Sequence, residues 1–161
     1  MKLAVAELYD ANPDKVDVAH SVFKTYGGVT AFHGKIVTIK VDHDFLLVKQ
    51  TLQQPGESCV LVVDGDGALD CALMGDRLGA MAVENNWSGV VVNGCIRDVE
   101  EINALDIGVK ALNSCPIRPA MEGPGSSGIA VSFAGVTFRP GEFLYADLDG
   151  ILVSAEALVL P

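Results

Sequence analysis

Positive charge is scarce in this chain. Lys and Arg number 11 against 21 Asp and Glu, giving a net charge of −10. With a pI near 4.5, such a surface repels phosphate backbones, which argues against direct nucleic-acid binding. Cysteine is sparse as well. Cys59, Cys71, Cys95 and Cys115 show no CxxC pair and no zinc-finger spacing, so they read as small buried thiols rather than disulfides or metal ligands. His20, His33 and His43 are scattered with no i,i+4 pair, which argues against a histidine metal site. No apolar run approaches the ~20 residues needed to cross a bilayer. The opening segment MKLAVAELYDANPD turns acidic too early for a signal peptide. The expectation is a cytoplasmic protein without a membrane span.

Hydrophobic residues, by contrast, make up 50% of the 161 positions, and mean hydropathy is +0.36. That excludes disorder and suffices for one domain, 1–161, with a sizeable core. No linker, repeat or low-complexity tract divides it. Residues 5–24 read as one or two short helices broken near Asn12-Pro13, and Tyr26-Gly27-Gly28 as a turn. GKIVTIKV at 34–41 alternates as a strand, and Phe45 to Gln53 reads as a helix stopped by Pro55-Gly56. The β-branched run at 59–63 predicts a buried strand, followed by a turn at Asp64-Gly65-Asp66-Gly67 and a second strand over 69–74. Then come a helix over 76–86, a strand over 89–93, a short helix over 98–105 and a strand over 108–112. The tail is rich in strands and turns. An α/β centre with a β-rich flank points to a β/β/α layered sandwich rather than a doubly wound fold.

The chemistry concentrates in one segment, GDRLGAMAVENNWSGVVVNGCIRD. Twenty residues, Arg77 to Ile96, separate Asp76 from the Arg97-Asp98 pair. Gly75-Asp76-Arg77-Leu78 lies where a strand passes into a helix, so free backbone N–H groups there can hold an anion. If the two strands are parallel neighbours, Arg97 and Asp98 emerge beside that helix start. Carboxylates suit a hard, hydrated divalent metal, and an arginine fork suits a carboxylate substrate. A plainer reading stands beside this one. Asp76 is favoured in a first helical turn by the dipole alone, and Arg97-Asp98 can be an exposed pair worth little.

Other motifs carry less. Glu100 and Glu101 read as a solvated helix face. DGDG at 64–67 lacks the later ligands of a calcium loop and reads as a β-turn. GPGSSG at 123–128 lacks the Walker lysine and reads as a flexible loop. Ser126 and Ser127 have no base nearby in sequence.

The run VLVVDGDGALDCALMGDRLGAMAVENNWSGVVVNGCIRDVEEINALDIGVKAL, with GVTFRPGEFLYADLDGILVS, the YGG turn and GKIVTIK, closely resembles the RraA-like family over nearly the whole chain. That family includes regulators of ribonuclease E activity and class II 4-hydroxy-4-methyl-2-oxoglutarate aldolases. The resemblance implies a single swivelling-domain-like β/β/α domain and a homotrimer. It implies a Mg²⁺- or Mn²⁺-dependent lyase that releases pyruvate from 4-hydroxy-2-oxo acids and decarboxylates oxaloacetate. It places the pyruvyl-binding segment at Gly75, Asp76, Arg77 and Leu78, the substrate-contacting arginine at Arg97, and the metal aspartate at Asp98, with Asp76 and Arg97 as catalytic residues. The alternative it carries is a non-enzymatic regulator that binds a ribonuclease E-type protein.

Overall fold

The apolar runs at 60–63 and 89–92 lie side by side as parallel strands, Val60 opposite Gly89 and Val63 opposite Val92. Val60, Leu61, Val62 and Val63 are all fully buried. The computed structural model describes residues 2–161. Its elements are α1 (Val5–Ala11), β1 (Val16–Val18), β2 (Lys24–Tyr26), β3 (Phe32–Val41), α2 (Leu46–Leu52), β4 (Val60–Met74), α3 (Asp76–Glu84) and β5 (Gly89–Ile96). They continue with α4 (Val99–Asn103), β6 (Gly108–Ser114), β7 (Gly125–Ser127), β8 (Val131–Phe133), β9 (Val136–Phe138), β10 (Phe143–Asp147) and β11 (Gly150–Ser154).

Strands β3, β4, β5 and β6 run parallel in that order, with α2, α3 and α4 in the crossovers. Successive crossovers of one hand in one direction put all three helices on the same face. There Val48 and Leu52 of α2, Leu78 and Ala82 of α3 and Ile102 of α4 pack on Leu61, Val63, Val90 and Val92. The alternate residues Val60, Val62 and Val91 face the other way, against Phe138, Leu144, Ile151 and Val153. Burying each such side chain contributes about 1.5–3 kcal/mol, so apolar runs without alternation mark strands covered on both sides.

The second layer is antiparallel. β3 belongs to both: Phe32 to Lys35 pair with β10, and Ile36 to Lys40 with β4. β10 continues to β11, and β11 to β1. The expected β/β/α sandwich is therefore present as one domain. α1 adds a cover on the outer side, where Val5 and Leu8 meet Tyr145 and Leu152. Two registered glycines, Gly89 and Gly108, make room for the Phe32 ring, which a methyl group on either would strike. Lys110 joins the layers. It is 2% exposed, and its Nζ donates to Thr25 Oγ1 and to the Asp147 carbonyl, both at 2.6 Å.

Several expectations need correction. Of the one or two short helices expected over residues 5–24, only the first forms; it ends at Ala11, at the expected break near Asn12-Pro13, where Asn12 Nδ2 donates to the Leu8 carbonyl at 3.0 Å. The following residues form β1 and β2, because sheet edges at β11 and β6 offer pairing that local propensity does not anticipate. The turn at 64–67 does not divide two strands. β4 runs through it with shifts of register against β5, and turn chemistry survives as a bulge with Asp66 at φ 58° and Gly67 at φ 72°. GPGSSG is not a free loop. Gly125 to Ser127 pair antiparallel with the second half of β3, whose backbone groups lack a partner on that side. Glu100 and Glu101 are exposed as expected, and the four cysteines are free thiols. No helix among the described residues is long and apolar enough to cross a membrane.

Candidate functional site

Met74 and Ile96 end β4 and β5 in register, so the next residues of both strands leave the sheet at one edge. The Arg97 N–H donates to the Met74 carbonyl at 3.0 Å, locking the two exits together. The β4 exit becomes the start of α3 at Gly75-Asp76, and the β5 exit becomes Arg97-Asp98. The parallel, neighbouring arrangement on which the sequence reading was conditional is the one observed.

Contact between the two exits is direct. The Asp76 N–H donates to Asp98 Oδ2 at 3.0 Å. A Cβ at position 75 would stand 2.6 Å from that same oxygen and 3.5 Å from Arg97 Cγ. Gly75 is thus demanded by close approach rather than by its backbone, which at φ −127° and ψ −165° suits any residue. Asp98 itself sits in the left-handed region at φ 57°, ψ 47°, which Asp tolerates better than most residues. Its carbonyl accepts the Ile102 N–H at 2.9 Å, which starts α4. Arg97 Nε is 4.0 Å from Asp98 Oδ2, with side chains 37% and 34% exposed. Its second guanidinium nitrogen reaches the Pro116 carbonyl at 3.5 Å. These contacts are long, so the fork remains available to an incoming anion.

A cavity of about 620 Å³ opens over this edge. Gly75, Asp76, Arg77, Leu78, Arg97 and Asp98 all line it, so every residue chosen from sequence meets in one place. The N-cap residue Gly75 supplies no capping side chain to α3; Asp98 takes the Asp76 N–H, and the Arg77 and Leu78 N–H groups lack intrahelical acceptors. Met74, Leu78 and Met81 supply apolar wall. The cavity carries four cationic side chains, Lys49, Arg77, Arg97 and Arg118, against two carboxylates, Asp76 and Asp98. On a chain of net charge −10, that local reversal marks a place for a small anion.

Sequence reasoning missed Phe45, Lys49, Arg118 and Met121, which also line the cavity. Arg118 lies with its guanidinium carbon 5.1 Å from the centre of the Phe45 ring, within cation–π range. Its only local signal is the proline on either side, at 116 and 119. The loop bearing Arg118 is held by the Ala72 N–H, which donates to the Ile117 carbonyl at 2.8 Å, and by Asp44. Asp44 is 2% exposed and accepts N–H groups from Glu122 at 2.7 Å, Leu46 at 2.9 Å and Gly123 at 3.2 Å. Burial alone would raise its carboxyl pKa; the three backbone donors outweigh that and hold it below the usual value.

The donors fit a hard divalent cation. Asp98 offers a second carboxylate oxygen beside a half-exposed cavity, and Asp76 a further carboxylate. Mg²⁺ is commonly held by one or two carboxylates, with waters and substrate oxygens completing the shell.

A sequence model of the RraA-like family, described as Aldolase/RraA, matches residues 5–153. A protein of Aromatoleum aromaticum named "Putative 4-hydroxy-4-methyl-2-oxoglutarate aldolase" is 48% identical, with 99% of this chain and 100% of that one covered. The solved structure of the RNA-processing inhibitor RraA from Thermus thermophilus is 39% identical with a TM-score of 0.94, covering 99% of this chain and 96% of that one. A Geobacillus kaustophilus structure described as an S-adenosylmethionine:2-dimethylmenaquinone methyltransferase is 42% identical with a TM-score of 0.93, covering 97% of each chain. The chain belongs to the RraA-like (aldolase/RraA) family.

Proposed function

We propose that the chain is a divalent-metal-dependent lyase. It cleaves 4-hydroxy-4-methyl-2-oxoglutarate, or a related 4-hydroxy-2-oxo acid, to pyruvate by retro-aldol chemistry, and it decarboxylates oxaloacetate. The observation that carries this reading is the meeting of Asp76, Arg97 and Asp98 at two parallel strand ends inside a cationic cavity. The aldolase name of the Aromatoleum relative supports it. A methyltransferase reading, suggested by the Geobacillus name, fits less well, because the cavity's charges suit a small anion rather than a cationic sulfonium donor.

Both reactions break a carbon–carbon bond and leave the electron pair on the enolate of pyruvate. Asp98, with Asp76 nearby, holds Mg²⁺ or Mn²⁺; the cation supplies Lewis acidity toward the 2-oxo acid. The open first turn of α3, Gly75 to Leu78, cradles the pyruvyl carboxylate. Arg97 stabilises the charge that develops on the enolate oxygen. Asp76 orients the water through which the 4-hydroxyl proton leaves and the enolate carbon is protonated. Lys49 and Arg118, which also line the cavity, supply positive charge for the distal carboxylate of a dicarboxylic substrate.

The test is pyruvate release from several 4-hydroxy-2-oxo acids and oxaloacetate. EDTA should abolish it and Mg²⁺ or Mn²⁺ restore it. Full activity in metal-stripped protein refutes the metal requirement, and no release from any substrate refutes the lyase. The second reading, a cytoplasmic regulator that binds a ribonuclease E-type protein, draws on the name of the Thermus structure. It gains if wild-type protein releases no pyruvate yet inhibits a purified ribonuclease of that type. We further propose a homotrimer, with exposed Val18, Val22 and Leu148 among the surfaces available for burial. Light scattering should give three times 16.9 kDa; a stable monomer excludes it.

A further inference from the structure

Sequence spacing argued against a histidine metal site, yet the fold assembles a ligand set that spacing does not reveal. His43 follows β3, whereas Asp70 and Cys71 lie within β4. A ring nitrogen of His43, a carboxylate oxygen of Asp70 and Cys71 Sγ all lie within 4.8 Å of one another. We propose that His43, Asp70 and Cys71 form a second metal site, suited to a borderline-soft divalent cation such as Zn²⁺.

Two observations carry it independently. The first is the orientation of the imidazole. Asp42 Oδ1 lies 2.6 Å from His43 Nδ1, and Asp70 Oδ1 lies 2.7 Å from Nε2. A carboxylate that takes the Nδ1 proton leaves Nε2 as the ligand and fixes the ring, the arrangement common behind metal-bound histidines. The second is Cys71. It is 3% exposed, and its sulfur lies within reach of the His43 ring nitrogen and the Asp70 carboxylate. Core packing with residues such as Leu73 and Val92 fixes Cys71 in place, so its sulfur stands at the inner side of the cluster as a preplaced third ligand.

The donor chemistry selects the ion. One nitrogen, one oxygen and one sulfur provide three ligands of a tetrahedron and leave a fourth position for water or a small ligand. A thiolate disfavours Mg²⁺ and Ca²⁺, so this site and the oxygen site at Asp98 take different metals. Without metal, burial first and the neighbouring acids second keep the Cys71 thiol protonated. Binding releases that proton, and the Nε2 proton where His43 is an imidazolium, while sulfur and nitrogen lone pairs pass to the cation. His43 and Asp70 are exposed, so the ion has access. Ala72, which follows Cys71, and Phe45, two residues after His43, line the cavity described above, so the site stands near its wall.

The test uses metal-stripped full chain titrated with Zn²⁺ by calorimetry and with Co²⁺ by absorbance. The Asp98→Asn variant serves as a second background that weakens the oxygen site. One equivalent per chain is expected in both, with a near-ultraviolet thiolate-to-cobalt band. Cys71→Ser should lose the band. His43→Gln alters an exposed side chain, so it does not put the fold at risk, and should weaken binding at least tenfold. Asp42→Asn should weaken it by about 10–100-fold, the usual effect of removing the partner of a metal-bound histidine. No band in the wild type, or binding unchanged by both His43→Gln and Cys71→Ser, overturns the site. Because neither readout involves turnover, failure of the aldolase reading leaves this result standing, and the reverse holds too.

Discussion

The Asp98 carboxylate accepts the Asp76 backbone N–H at 3.0 Å, although the two residues stand 22 positions apart. One oxygen of the proposed metal ligand is thereby committed to orienting the carboxylate, and the other is left for a cation. The same bond ties the first turn of α3 to the end of β5.

Asp98→Asn tests the charge at this point. Asn adopts the left-handed backbone as readily as Asp, and its carbonyl oxygen can still accept the Asp76 N–H. The fold should therefore persist, with a thermal midpoint near that of the wild type. Metal-dependent pyruvate release should fall by about 10²-fold or more, on the scale of losing one preorganised electrostatic contact. Retained turnover would remove Asp98 from the metal role.

Gly75→Ala tests the close approach. The backbone there accepts Ala, so the cost arises at the Asp98 carboxylate 2.6 Å from the new methyl. That carboxylate must move by several tenths of an ångström or more, and misplacement of about 1 Å can cost about 10²-fold in rate. A loss of kcat/KM of at least about tenfold is expected, with a small change in urea midpoint. A variant as active as wild type would show that this contact does not position the site.

Arg97→Lys separates charge from geometry. Lysine keeps the charge but loses the planar fork. Oxaloacetate decarboxylation should drop by about 10²-fold or more in kcat/KM. A regulator acting through surface contacts should tolerate the change, so ribonuclease inhibition measured on the same variant distinguishes the two readings.

Lys110 makes stability depend on alkaline pH. Burial lowers its pKa from the ordinary 10.5, opposed by Asp147 and Asp149. Between the lowered value and 10.5 the unfolded chain binds the extra proton, so stability from this group rises with pH across that window. Urea titrations of wild type and Lys110→Met should show the wild type gaining relative to the variant as pH rises toward 10.5. A difference independent of pH would mean the ammonium is not strained by burial.

Much of the architecture was legible because its signals are local. Continuous β-branched runs at 60–63 and 90–92 have no polar face to offer water, so they had to become strands covered on both sides. Asp76 and Arg97-Asp98 were legible as a pair of strand exits because a strand–helix–strand unit of that length returns the chain to the same edge. Errors clustered where pairing is supplied from afar. β1, β2 and β7 are three residues each, with nothing in composition to mark them, and they exist because distant strands had unpaired edges.

The amino-acid sequence by itself determined the layers and the cavity residues at the two strand exits, since periodicity, turn residues and one supersecondary unit suffice for those. Tertiary structure alone decided the rest. Lys49 and Arg118 reach the cavity from a helix and a loop separated by about 70 residues, and His43 meets Asp70 and Cys71 from a different strand end. Such meetings depend on how layers stack and where β4 bulges. These are outcomes of packing the whole core, which no window along the chain contains.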